Sequence, residues 1–167
     1  MSAVDEHRTY APDTVSFAIL TASDSRQEAE DDSGRRIASL IDEAGHRVIH
    51  RQIVTDDIAA IRTALAAALA SGADAVVLNG GTGFGPRDVS VEAVAPLLER
   101  QIEGFGELFR MLSHAQVGAA AMLSRAMAGV MGDGVVFVVP GSPKAVELAM
   151  RELILPETAH LLGQVRR

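Results

Sequence analysis

The chain has 167 residues, 48% hydrophobic but only 4% aromatic, which suffices for one domain with a core of Ala, Val, Leu and Ile. Its 15 basic and 22 acidic residues give a formal charge of −7, which argues against a general nucleic-acid binder or a protein held on anionic lipid. With no cysteine, disulfides, thiolate metal sites and cysteine nucleophiles are excluded, and no apolar segment reaches the roughly 20 residues that span a membrane.

Residues 1–14 carry few apolar side chains and read as a flexible tail, with Asp5 and Glu6 where a secretory leader would be basic and then apolar. A soluble, cytoplasmic protein is expected, with 15–167 as its single domain. Residues 15–20 read as a buried strand that ends at the polar cluster Thr21-Ala22-Ser23-Asp24-Ser25-Arg26. Asp31 to Ser33 offer capping side chains, and Ile37, Leu40, Ile41 and Ala44 share one face of a helix over 33–44 that Gly45 stops. A strand over 47–54 follows. Asp56 and Asp57 then stand where a helix carrying Ile58, Ile61, Leu65 and Leu69 begins; it ends at Gly72, and 75–79 is the third strand.

After a glycine-rich stretch, Ser90 is placed to cap a short helix with Val91, Val94 and Leu98, and Phe105, Leu108, Phe109 and Leu112 predict another over 104–114. Gly132-Asp133-Gly134 joins 125–131 to 135–139 as a hairpin. Residues 144–155 read as a helix through Val146, Met150 and Leu153, with Pro156 starting a fresh turn or kink. The alternation predicts an α/β fold, a three-layer α/β/α sandwich with a mostly parallel mixed sheet and one antiparallel strand. There is no internal repeat.

The stretch Asn79-Gly80-Gly81-Thr82-Gly83-Phe84-Gly85-Pro86-Arg87-Asp88 follows a strand and is too glycine-rich to pack as core. Glycine permits close backbone approach, so successive N–H groups can converge on an anion, and a phosphorylated ligand is expected. In an open α/β sheet the ligand crevice lies beyond the carboxyl ends of the strands. Four ends carry unusual sequence: Ser23-Asp24-Ser25, Thr55-Asp56-Asp57, the glycine loop with Asp88, and Pro140-Gly141-Ser142-Pro143-Lys144. Asp56 and Asp88 could hold a magnesium ion already bound to a nucleotide, and Lys144 suits a point contact to phosphate. Singly, each piece also reads as a helix cap or a turn; four together point to a site.

Other motifs carry less. The loop lacks the Gly-Lys-Ser/Thr ending of a P-loop, and no Gly-x-Gly-x-x-Gly exists. His46 and His50 have the spacing of a helical zinc pair but fall in a predicted strand, where that separation spans ~13 Å, so they read as surface or partner-facing groups. Glu107 and Arg110, three apart on a helix, read as a surface ion pair.

The ordered set 79–83 with Arg87-Asp88, Gly104-Phe105-Gly106-Glu107-Leu108-Phe109-Arg110, Leu123-Ser124-Arg125 and 140–145, together with Thr21-Ala22-Ser23-Asp24 and Asp32-Ser33-Gly34, resembles the MoaB/MogA family of molybdenum cofactor biosynthesis. The likeness runs from about residue 15 to about 160, and 107–113 looks closer to the MoaB branch. The resemblance implies molybdopterin adenylyltransferase activity: the terminal phosphate of molybdopterin attacks the α-phosphate of Mg-ATP, giving adenylyl-molybdopterin and pyrophosphate. It further implies that Asn79, Gly80, Gly81, Thr82 and Gly83 hold molybdopterin or its phosphate. Asp56 and Asp88 would match the two catalytic, Mg2+-binding carboxylates, with Asp57 as the alternative to Asp56. Ser23, Asp24, Ser25, Pro140, Gly141, Ser142 and Lys144 would line the pocket, and Glu107 and Ser124 are carried over as further substrate-binding residues. Trimers, sometimes paired into hexamers, are implied as well, with the helix at 105–112 as interface. Some MoaB members have lost the two carboxylates and are thought inactive, so the alternative is a non-catalytic molybdopterin-binding or scaffold protein.

Overall fold

Three runs of small and β-branched residues, β1 (Ser16–Ala22), β3 (Ala75–Asn79) and β6 (Gly134–Val139), are buried at every position, as parallel strands covered on both faces are. The computed structural model describes residues 10–25 and 30–167. With β2 (Arg47–Val54), β4 (Arg100–Gln101) and β5 (Met127–Met131), these strands form one sheet in the order β2-β1-β3-β6-β5-β4. The first four run parallel, and β5 alone points the other way, antiparallel to both β6 and β4. Only β4 has no counterpart in the sequence reading, since two exposed residues carry no periodicity.

One face of the sheet, with Phe17, Ile19, Val77 and Phe137, is covered by α1 (Asp32–Glu43), α4 (Glu103–Val117), α5 (Pro143–Ala149) and α6 (Leu155–Val165). The other, with Leu20, Val76, Leu78 and Val138, is covered by α2 (Ile58–Ala70) and α3 (Ser90–Val94). The result is the α/β/α sandwich. The Phe105 ring of α4 packs tilted against that of Phe137, with centroids 5.4 Å apart, seating the helix on the sheet.

Helix starts follow the capping chemistry in three places. Asp31 accepts from the Gly34 N–H (2.9 Å) at α1, Asp57 from the Ala60 N–H (2.8 Å) at α2, and Ser142 from the Ala145 N–H (3.3 Å) at α5. Ser90 does not cap. Val89 holds that position, and the Ser90 hydroxyl donates to the Gly80 carbonyl (2.8 Å), tying α3 to the glycine loop. Leu98 lies beyond α3, which gives way to a tighter turn at Ala95–Leu97 around Pro96.

Pro156 neither ends the last helix nor starts a separate turn. The chain winds through a wide turn, Met150–Ile154, in which the Leu155 N–H reaches back to the Met150 carbonyl, and enters α6 with Pro156 as its second residue. A proline has no N–H to give the preceding turn, and the widened turn takes up that loss while the helical winding continues.

Of the expected tail, residues 1–9 lie outside the described residues, as does Arg26; Tyr10 runs past α6, its ring 4.2 Å from the Arg167 guanidinium. His46 precedes β2 rather than lying in it and is half-buried, its Nδ1 accepting from the Val15 N–H (3.4 Å), so burial pulls its pKa down. His50 bonds Gln52 along the strand. Arg110 passes over Glu107 and donates instead to the carbonyls of Ser124 (3.3 Å) and Ala126 (3.5 Å), because the helix turns it toward the start of β5. Among the described residues no helix is long and apolar enough to cross a membrane.

Candidate active site

Because β1, β2, β3 and β6 are parallel, their carboxyl ends open on one side, and two adjoining spaces lie there. The smaller, of about 410 Å³, is polar and gathers Ser23, Asp24, Ser25, Asp56, Gly80, Gly81, Asp88 and Gly141. The larger, a groove of about 1170 Å³, runs between α5 and the end of α4 with the turn Gly118–Leu123 that follows it. Ser124, Pro140, Ser142 and Lys144 line the groove alongside Phe109, Val117, Leu123 and Leu148. Thr82 and Gly83 line both spaces, so the middle of the glycine loop is their common wall.

In the polar pocket the ends of β1 and β2 are cross-linked. The Asp24 N–H donates to Asp56 Oδ2 (3.1 Å), and the Asp56 N–H donates to Asp24 Oδ1 (3.0 Å). Of the two neighbouring carboxylates, Asp57 turns away to cap α2, whereas Asp56 faces the pocket. Asp56 Oδ1 is buried and has no hydrogen-bond donor. Burial pushes the Asp56 pKa up, and the charges of Asp24 and Asp88 add to the rise. Asp24 is held low by the Asp56 N–H and by the Arg87 guanidinium. Asp88 folds back within its own loop, Oδ2 accepting from the Gly85 N–H (2.9 Å). An orphaned oxygen between like charges is the donor set a hard divalent cation takes when phosphate and water complete its shell. Among the described residues, no group of three or more His, Cys, Asp and Glu side chains is placed to hold a metal unaided.

The glycine loop is fixed from beneath. Gly80 and Gly81 have φ of 94° and 62°, and a Cβ on Gly80 would stand 2.5 Å from the Ala22 carbonyl oxygen. The loop therefore lies directly on the end of β1. Arg125 holds its far side, donating to the carbonyls of Thr82 (3.1 Å), Gly83 (2.6 Å) and Asp88 (3.1 Å), pairing with Glu92 and lying 5.2 Å from the Phe84 ring centroid. Neither Arg125 nor Arg87 stands out as a site residue from sequence, although both sit in the stretches that carry the family resemblance.

Two expected site residues are elsewhere. Asn79 is fully buried beneath the pocket, its amide donating to the Leu20 carbonyl (3.1 Å) and the Thr21 hydroxyl (2.9 Å). Its place on the last residue of a central strand points the side chain into the sheet's polar end, where the Thr21 hydroxyl in turn donates to Asp31. Glu107 is exposed on α4 and lines neither space, because Phe105 and Phe109 define the buried face and carry Glu107 outward.

Residues 18–160 match the family described as "Probable molybdopterin binding domain". The chain is similar to Molybdenum cofactor biosynthesis protein B of Bacillus subtilis (strain 168), with 46% identity over 167 residues that cover 99% of this chain and 98% of that protein. Among solved structures, a crystal structure of Molybdenum cofactor biosynthesis protein B superposes with a TM-score of 0.90 at 48% identity, covering 94% of this chain and 99% of that one. The tungsten cofactor synthesizing protein MoaB from Pyrococcus furiosus gives 0.86 at 38% identity, covering 94% and 100%.

Proposed function

We propose that this chain, which belongs to the MoaB branch of the MoaB/MogA family of molybdenum cofactor biosynthesis proteins, binds molybdopterin and adenylylates it with Mg-ATP. The carrying observation is the orphaned, buried Oδ1 of Asp56 facing a pocket that Asp88 and the glycine loop share.

In the reaction an oxygen of the molybdopterin phosphate bonds to the α-phosphorus of ATP while the bond from that phosphorus to the bridging oxygen breaks, and pyrophosphate leaves. Such transfer needs in-line placement and charge neutralisation rather than a covalent nucleophile. Magnesium, held by Asp56 and Asp88, would supply neutralisation at the phosphate oxygens. Thr82 and Gly83, as the shared wall, set the phosphates at the junction of the two spaces, and the groove beside Phe109, Val117 and Leu148 offers apolar surface to a flat ring system. Lys144 is the sole lysine among the 15 basic residues, and its compact charge suits a single phosphate oxygen where arginine would impose a fork. An ATP-consuming reaction in a chain without cysteine suits the cytoplasm.

Purified protein incubated with molybdopterin, ATP and Mg2+ is expected to yield adenylyl-molybdopterin and pyrophosphate in equal amounts. Retention of molybdopterin with no nucleotide product under any divalent metal would leave a non-catalytic binding protein.

A homotrimer or hexamer belongs to the same proposal. Leu108 (46% exposed), Met111 (62%), Met122 (77%) and Leu123 (57%) are large apolar side chains left exposed in a row in chain order along α4 and the turn beyond it, and such groups mark candidate interfaces. Met111→Glu places a charge in the middle of that row. Sedimentation velocity is expected to find the wild type as trimer or larger and the variant as monomer with unchanged circular dichroism; an unchanged oligomer would move the interface elsewhere.

A further inference from the structure

Three carboxylates, Asp24, Asp56 and Asp88, line the polar pocket, and among the described residues one cation pairs with any of them. Arg87 brings Nε (2.8 Å) and Nη2 (2.5 Å) to a single oxygen, Asp24 Oδ2. Both N–H groups converge on one atom, so the pair lacks the parallel fork that makes arginine–carboxylate contacts strong, and with side chains 68% and 38% exposed it is the kind of pair that exchanges readily. Asp24 Oδ1 is meanwhile fixed by the Asp56 N–H. Breaking the pair with Arg87 therefore frees a carboxylate oxygen without disturbing the link between β1 and β2. A polyphosphate entering this pocket meets three carboxylates, and the guanidinium paired with one of them is that of the exposed Arg87, whereas Arg125 is held by three loop carbonyls.

We propose that Arg87 is a placeholder cation: it neutralises Asp24 while no metal is bound, and on arrival of a metal-bound nucleotide it releases Asp24 to the metal's surroundings and takes up a phosphate oxygen. The phosphate half rests on the adenylylation reading; the placeholder half does not. Arg87 is then a substrate-contacting residue, and the exchange makes metal and nucleotide binding depend on each other.

Binding is measured in the wild type, Arg87→Ala and Arg87→Lys, first with Mn2+ alone by electron paramagnetic resonance, then with α,β-methylene-ATP and Mg2+ by calorimetry. Removing a competing cation is expected to tighten Mn2+ binding about threefold in Arg87→Ala, while loss of the phosphate contact weakens nucleotide binding about tenfold. Arg87→Lys should fall between on both. A merely structural role weakens both ligands together. Mn2+ affinity that is lower or unchanged in Arg87→Ala, or a wild type that binds no Mn2+, overturns the placeholder; unchanged nucleotide affinity overturns the phosphate contact. A wild type that binds Mn2+ but no nucleotide defeats the adenylylation reading and the phosphate contact together, with the placeholder still judged by the metal arm.

Discussion

Asp56→Asn is expected to make the protein more stable and nearly inactive. The raised pKa of Asp56, caused first by burial and then by the charges of Asp24 and Asp88, means that the folded chain holds this proton to higher pH than the unfolded chain does. As pH rises between the two values the unfolded state releases its proton first, so stability falls, and above both the full cost is present. At neutral pH the native protein therefore carries an unfavourable charge that asparagine removes while still accepting from the Asp24 N–H. Solvent screening keeps the gain under ~1 kcal/mol, about 2 °C in melting temperature for a chain this size. The gain should vanish in acid, where the wild-type carboxyl is protonated as well. Adenylyl transfer should drop by at least about 10²-fold through lost metal positioning. Asp88→Asn should lose as much activity with little change in melting temperature, since the Asp88 side chain bonds only within its own loop and its carbonyl, held by Arg125, is kept. Magnesium should stabilise the wild type at pH 7 and leave Asp56→Asn unmoved. A destabilised Asp56→Asn, or one with full turnover, would remove the carboxylate from the proposed chemistry.

The ease with which Asp56 and Asp88 are found in the sequence contrasts with how Arg125 and Arg87 escape it. A carboxylate at a strand end is marked by its neighbours: an apolar run before it and glycines or a helix start beside it put it at the crevice of any parallel sheet. The work of Arg125 depends on carbonyls about 40 residues earlier, and no local pattern encodes which backbone a guanidinium meets across α4. Asn79 and Glu107 line neither space, for related reasons. At the end of a strand, alternation alone does not say whether a polar side chain faces ligand or bonds back into the sheet, and Asn79 does the latter. On a helix, the buried face of α4 follows from Phe105 and Phe109, and that phase already carries Glu107 away from the groove. Ser90 looks like a cap because its type is right; the chain gave its hydroxyl to Gly80 instead, which stiffens the loop where ligand would sit.

That stiffness rests on one close approach, and Gly80→Ala tests it. Two glycines have nearly the same positive φ, 94° at Gly80 and 96° at Gly72. Any side chain there is strained by about 1–2 kcal/mol. Their surroundings differ completely: nothing stands within 4 Å of a Cβ on Gly72, whereas a Cβ on Gly80 would lie 2.5 Å from the Ala22 carbonyl oxygen. Ala22 ends β1, which is bonded to β2 on one side and β3 on the other, so its backbone has no room to retreat. The Gly80 N–H is also tied to the Val139 carbonyl (3.0 Å), which prevents the loop from lifting as a unit. Gly72→Ala should therefore cost about 1 kcal/mol and melt ~2–4 °C lower with normal nucleotide binding. Gly80→Ala should cost roughly 3 kcal/mol or more, melting ~6–12 °C lower. What folded protein remains should bind nucleotide poorly, because relief of the clash displaces the wall formed by Thr82 and Gly83 between pocket and groove. Equal losses from the two substitutions would mean that left-handed backbone strain, and not contact with β1, is what sets the loop.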